Sequence, residues 1–147
     1  MNKKKKNKKW IIIIVVAVIL VAIATLVNSF VQGFREPVVS IDGNRMTIET
    51  SLHGVMIDRR EIESVSLIDV MPTVTRLGGG FEFWQFQRAP VRVSNLGEGL
   101  AYIRTDTPPF IFINLNNTHN YIFINLDNSS STRTLYARIN EWLQEQN

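Results

Sequence analysis

The side chains able to do chemistry in this 147-residue chain are few and scattered. There is no cysteine, which removes disulfides, thiolate metal sites and cysteine nucleophiles. The two histidines, His53 and His119, each fall in a predicted turn, and no carboxylates are spaced to complete a metal set around either one. Asp58, Glu61 and Glu63 cluster beside Arg59 and Arg60. Converging carboxylates could act as general acid and base, but the adjacent arginines make this segment read as a solvated, self-compensated loop. Gly78-Gly79-Gly80 lacks the lysine and the following helix start of a phosphate-binding loop. Ser129, Ser130 and Ser131 precede an amphipathic stretch and read as helix caps, with no base in view to activate them. The expectation is a protein that is not an enzyme and holds neither cofactor nor metal.

One group stands apart from this inventory. Phe81, Phe83, Trp84 and Phe86 follow the glycine run within six residues. Strict strand alternation puts Phe81 and Phe83 on one face and Trp84 and Phe86 on the other. Two readings are open. The set is a buried strand with core on both sides, or it is an exposed lip that captures a partner beside a mobile glycine loop.

The charge distribution shows where such a lip would sit. Formal net charge is +3, yet all six lysines lie between Lys3 and Lys9. From Asn28 onward ten arginines face thirteen acids. The body is therefore net negative, which argues against a nucleic-acid partner. Residues Trp10 to Phe34 carry no charge, and Ile11 to Val27 is built of Ile, Val, Leu and Ala with a single Thr. A helix from Trp10 through Val31 matches the hydrocarbon thickness of roughly 30 Å. β-branched residues are poor helix formers in water, but in lipid the backbone has no partner other than itself. The lysines fix orientation. They hold the N-terminus in the cytoplasm and send residues after about 34 across, with Trp10 as an interfacial anchor. The competing reading is a secretory signal cleaved at the Ala22-Ile23-Ala24 pattern. The expected organisation is a basic cytoplasmic tail over 1–9, a transmembrane signal anchor over 10–31, a linker over 32–37 ending at Pro37, and a folded domain over 38–147.

The domain reads as short strands and one helix. Asp42-Gly43-Asn44 between Val38–Ile41 and Arg45–Thr50 is a hairpin signal. Further strands are expected at Val55–Ile57 and Val65–Val70, followed by a loop over Met71–Gly80. Gly97-Glu98-Gly99 is expected to turn a hairpin between Val91–Val93 and Leu100–Ile103. Phe110 opens FIFINL and Tyr121 opens YIFINL, two matched strands whose apolar character calls for a central position. Leu135, Ile139, Trp142 and Leu143 then fall on one helix face, with Thr132 or the serines as cap.

The ordered set of Ser51-Leu52-His53-Gly54-Val55, Ile62-Glu63-Ser64-Val65, Met71-Pro72, Gly78-Gly79-Gly80-Phe81, Pro109-Phe110, Tyr121 to Leu126, and Thr132, Leu135 and Tyr136 resembles the bacterial pleckstrin-homology (PH)-like domain, in particular that of small membrane-anchored bacterial proteins. The resemblance runs from about Val38 to Leu143. It implies a mainly β fold of about seven antiparallel strands in a partly open barrel, with a C-terminal α-helix whose Leu135, Ile139, Trp142 and Leu143 plug the opening. Lipid-binding members of the wider family hold inositol phosphates with several basic residues on the first hairpin. Here that hairpin offers Arg45 alone beside Asp42, which argues against phosphoinositide binding. The expected function is a non-catalytic interaction or scaffold module, held by its N-terminal helix in the bilayer and displayed outside the cytoplasmic membrane. The alternatives are a secreted binding protein released near Ala24 and an accessory subunit of an envelope enzyme. The partner, a membrane or envelope protein, is not legible.

Overall fold

The computed structural model describes residues 3–50, 54–117 and 119–145. His53, with Ser51 and Leu52, lies outside them. The chain divides into two compact units, Met1–Phe34 and Arg35–Asn147.

The first unit is a single helix, α1 (Lys3–Gly33). Its Lys9–Gly33 stretch of 25 residues, with an 18-residue window of mean hydropathy 3.3, is long and apolar enough to cross a membrane. At 1.5 Å per residue that stretch rises about 37 Å, more than the hydrocarbon layer requires. The helix extends past both expected ends, taking in the lysines from Lys3 and the first linker residues to Gly33. Once nucleated, a helix propagates at little cost into lysines, which are good helix formers. The Thr25 hydroxyl donates to the Val21 carbonyl at 2.8 Å, so the one polar side chain of Ile11–Val27 is satisfied within the helix itself.

The second unit is mainly β. A three-stranded antiparallel sheet runs β1 (Val38–Asp42), β2 (Arg45–Glu49), β3 (Val55–Asp58). The expected hairpin is present, with Gly43 at φ +53° where the turn needs a left-handed residue. A 3-10 turn, Arg59–Glu61, leads into the second sheet. That sheet holds β4 (Ile62–Ile68), β5 (Val74–Arg76), β6 (Phe81–Phe83), β7 (Phe86–Val93), β8 (Gly97–Arg104), β9 (Phe110–Leu115) and β10 (Tyr121–Ile124). Its order is β4-β9-β10-β8-β7-β5, with β6 also on β7. The matched strands β9 and β10 are interior, as their apolar character requires.

Several expectations are corrected. Among the described residues there are ten strands, not about seven, and they form two open sheets in place of the expected partly open barrel. They are not all antiparallel, because β10 inserts between β9 and β8 and runs parallel to β8. The Met71–Gly80 segment is not all loop: β5 pairs with the far half of β7 while β6 pairs with its near half. Gly97 and Gly99 sit inside β8, and the turn lies just before them, closed by Leu96 N–H to the Val93 carbonyl at 3.1 Å. Gly99 is needed for space, since a Cβ there would lie 2.5 Å from the Tyr121 ring.

The core follows from the strand parity. Met46, Ile48 and Ile57 of the small sheet face Ile111, Ile113, Ile122 and Ile124 of the large one. Helix α2 (Ser129–Gln144) adds Leu135, Ile139 and Trp142 to this cluster, with Leu143 packed at its margin, so the expected helix face is the buried one. Its cap is Asn128, whose side chain accepts from Ser131 N–H at 2.7 Å. Thr132 is buried instead and accepts from Leu126 N–H at 3.0 Å. On the other face of the large sheet, Val91, Val93, Ala101, Ile103, Tyr121 and Phe123 form a second cluster. The Tyr121 hydroxyl, accepting from Val93 N–H at 2.9 Å and donating to the Gly97 carbonyl at 3.0 Å, ties the β7–β8 turn to it.

Candidate functional site

The four aromatic residues do not lie along one strand. β6 and β7 make a tight hairpin in which Phe83 pairs with Phe86 and Phe81 with Arg88, leaving Trp84 and Gln85 as the turn. Directly opposed residues share a face of the sheet. Phe81, Phe83, Phe86 and Arg88 therefore project on one side, and the expected two-by-two split fails because the turn resets the alternation. Trp84 is 86% exposed and adopts φ +53°; Phe83 is 46% exposed. Phe81 and Phe86 are half-buried.

The base of the hairpin is built from charge and glycine. The Arg76 guanidinium donates to the Gly79 carbonyl at 2.7 Å and the Gly80 carbonyl at 3.2 Å, so the glycine run is folded around a side chain. Gly80 has φ +68°, and a Cβ on it would lie 2.2 Å from the Arg88 carbonyl oxygen. Only glycine lets β6 approach β7 this closely. The Phe86 ring lies under two guanidiniums, with Arg104 Cζ at 5.3 Å and Arg88 Cζ at 5.9 Å from its centroid. Arg104 Nε donates to Asp106 Oδ1 at 2.8 Å, and this bond holds the Asp106 carboxyl below its usual range. Arg88 is buried and donates to the Gln87 carbonyl at 3.1 Å and to the Ile103 carbonyl. Its Nε has no partner. Burial lowers its pKa to about 10, against the opposing fields of Asp127 and Glu36.

A continuous set of hydrogen bonds joins this hairpin to the start of the unit. Glu36 Oε1 accepts from Asp127 N–H at 2.7 Å. Two residues earlier, the buried Asn125 accepts from Arg104 N–H at 2.7 Å and donates to the carbonyls of Arg104 and Thr107 at 2.8 and 2.6 Å. Thr105 N–H then donates to the Gln85 carbonyl in the hairpin turn at 2.8 Å. Glu36, Asp127, Asn125, Thr105 and Trp84 thus belong to one end of the domain. Sequence reasoning missed Asn125, Arg88 and Glu36. The available signal was an asparagine closing an apolar strand, and an arginine within the alternating run FQRAPVRV.

The other residues weighed for chemistry are placed elsewhere. Asp58 and Glu61 form a capping box on the 3-10 turn, Glu61 Oε2 accepting from Asp58 N–H at 2.8 Å. Glu63 accepts from Asn114 Nδ2 at 2.7 Å, and His119 N–H donates to Asn117 Oδ1 at 2.9 Å. Among the described residues no group of three His, Asp or Glu side chains could hold a metal ion. A groove of about 310 Å³ between β1 and α2 is lined by Pro37, Val39, Leu126 and Leu135 among others. Arg138 crosses this margin to donate to the Val39 carbonyl at 2.8 Å.

Trp84 is held against its own backbone preference. A left-handed conformation costs a non-glycine residue about 1–2 kcal/mol, and an exposed indole recovers little of that by burial. Trp84→Gly is therefore expected to leave the unfolding free energy unchanged or raise it by up to about 1 kcal/mol, with glycine's greater chain entropy offsetting part of the relief. Trp84→Ala should stay within about 0.5 kcal/mol, as surface changes do. Urea unfolding of the full chain in detergent reads both; a loss above about 2 kcal/mol would make Trp84 a structural residue.

Compared with family models, with curated proteins and with solved structures, the chain finds no match.

Proposed function

We propose that this chain is a single-pass membrane protein whose N-terminal helix holds a PH-like β domain at the outer face of the cytoplasmic membrane, where it acts as a non-catalytic interaction module. The observation that carries this reading is the aromatic hairpin, with Trp84 exposed at a strained turn on a rigid β support. Strain kept at an exposed aromatic points to contact with something outside the fold. The lysines before α1 support the orientation, since they resist translocation. The helix packed by Leu135, Ile139 and Trp142 onto the strands supports the PH-like assignment.

The topology has a direct test. A C-terminal alkaline phosphatase fusion should be active in intact cells and a C-terminal β-galactosidase fusion inactive. The reverse pattern would place the domain in the cytoplasm and overturn the reading. Intact mass of the membrane-extracted protein should include the lysine tail; a chain beginning after Ala24 would make it a secreted binding protein.

A further inference from the structure

The geometry points to a second membrane contact: we propose that the β6–β7 hairpin dips Trp84 and Phe83 into the headgroup layer of the bilayer that holds α1. The inference rests on the reading of α1 as a membrane anchor. It is carried by where the hairpin sits along the chain's own path.

The last helical residue is Gly33 and Glu36 is already fixed to the domain through Asp127 N–H at 2.7 Å. The three steps from Gly33 to Glu36 span at most about 10 Å even when fully extended. The headgroup layer on each side of the hydrocarbon is itself roughly 5–8 Å deep. The end of the domain that carries Glu36 is therefore tethered within about 10 Å of the last residue of α1. The bonds from Glu36 to Asp127, from Asn125 to Arg104 and Thr107, and from Thr105 to Gln85 place the hairpin turn at that same end. The opposite end, with the β7–β8 turn at Ser94, Asn95 and Leu96, lies a full strand length away.

The residues presented there suit a lipid–water boundary. Tryptophan is enriched at that level because its ring is amphipathic, and phenylalanine beside it adds apolar area. Trp84 is 86% exposed and Phe83 46%. Arg35 is an exposed cation near the same end, able to meet phosphates while the rings go deeper. A protein partner is the competing occupant, but it must reach a patch on the tethered end of the domain. A tightly tethered apolar patch meets the nearby bilayer at high effective concentration.

The absence of native cysteine gives clean labelling sites. Full-length protein carrying Gln85→Cys, Asn95→Cys or Val18→Cys would be labelled with nitrobenzoxadiazole and reconstituted into vesicles of phosphatidylcholine and phosphatidylglycerol. Lipids bearing a nitroxide near the headgroup serve as quencher. The Gln85→Cys label should be quenched at least roughly threefold more than the Asn95→Cys label, as interfacial residency requires. Adding Trp84→Ser and Phe83→Ser to Gln85→Cys should abolish that excess, while unchanged near-ultraviolet circular dichroism confirms the fold. Quenching of Val18→Cys by chain-labelled lipid reports whether α1 is inserted. If Val18→Cys is quenched and Gln85→Cys behaves as Asn95→Cys does, the hairpin proposal is overturned and the anchor stands. If Val18→Cys is not quenched, the anchor reading fails and the hairpin proposal falls with it.

Discussion

Asn125→Leu is expected to destabilise the β domain by about 3 kcal/mol or more. The side chain is 1% exposed and makes three bonds to backbone: one accepted from Arg104 N–H, and one donated to each of the Arg104 and Thr107 carbonyls. Leucine keeps the branched outline of asparagine but is bulkier, so the change removes the hydrogen bonding and adds some overpacking. Each buried backbone group left without a partner costs about 1–3 kcal/mol. For a domain of this size the midpoint of thermal unfolding should fall by on the order of 15 °C. Near-ultraviolet circular dichroism of the full chain in detergent reads it. Asn125→Asp separates hydrogen bonding from shape. It retains the acceptor for Arg104 N–H but sets a carboxylate against two carbonyl oxygens. Burial among acceptors raises the folded pKa of that carboxyl above its unfolded value of about 3.9. Stability is then retained below pH 4 and lost as pH rises through the folded pKa. If Asn125→Leu melts within about 3 °C of the parent, the bonds to β8 and to the β8–β9 connection are not what holds this end together.

How much of this was readable in the sequence divides by the range of the interaction that decides each feature. The Gly43 turn is local: two β-rich runs around Asp-Gly leave few other solutions, and the hairpin is there. The same holds for the stripe of Leu135, Ile139 and Trp142, where helical spacing alone selects the buried face. The interior position of β9 and β10 follows from composition, since neither strand has a polar face to show to water. What failed is what depends on a partner distant in sequence. Gly99 reads as a turn residue until Tyr121 is known to lie against it. Phe81 to Phe86 reads as one alternating strand until Trp84 takes a left-handed conformation, a choice alternation cannot show. β10 could not be placed between β9 and β8 from local pattern, because nothing in YIFI distinguishes a parallel from an antiparallel neighbour. The aromatic group itself was legible by type. Its exposure was not, since exposure turned on a single dihedral.

Arg88→Met is expected to stabilise the domain, by about 1–3 kcal/mol, and to steepen a pH dependence that Arg88 offsets in part. Arg88 is 2% exposed, its Nε has no partner, and its contacts are backbone carbonyls rather than a carboxylate. Replacing a buried charge by an apolar side chain of similar length is often neutral or favourable. The carbonyls it touches need not be orphaned. Thr105 N–H bonds the Gln85 carbonyl, which makes residues 85 and 105 a hydrogen-bonded pair. Alternation along the ladder then makes Gln87 and Ile103 another, so each carbonyl keeps a backbone donor. The pH signature follows from two groups that face each other across β7 and β8, Arg88 and Tyr102. Burial lowers the Arg88 pKa from 12.5 to about 10, so above pH 10 the unfolded chain holds the proton more tightly and stability rises with pH. Burial raises the Tyr102 pKa from 10.0 to about 12, so over that interval the unfolded phenol ionises first and stability falls. In the parent the Arg88 slope opposes that of the tyrosines, so the unfolding free energy should fall less steeply from pH 10 to 12 than it does without Arg88. In Arg88→Met that opposing slope is gone, leaving Tyr102 and Tyr121, whose pKa burial also raises, and the free energy should drop across that window by at least about 1 kcal/mol per pH unit. Urea unfolding of both proteins at matched ionic strength distinguishes the cases. A variant that is weaker than the parent at pH 7, or that falls no more steeply above pH 10, would show that the Arg88 guanidinium is stabilising where it lies.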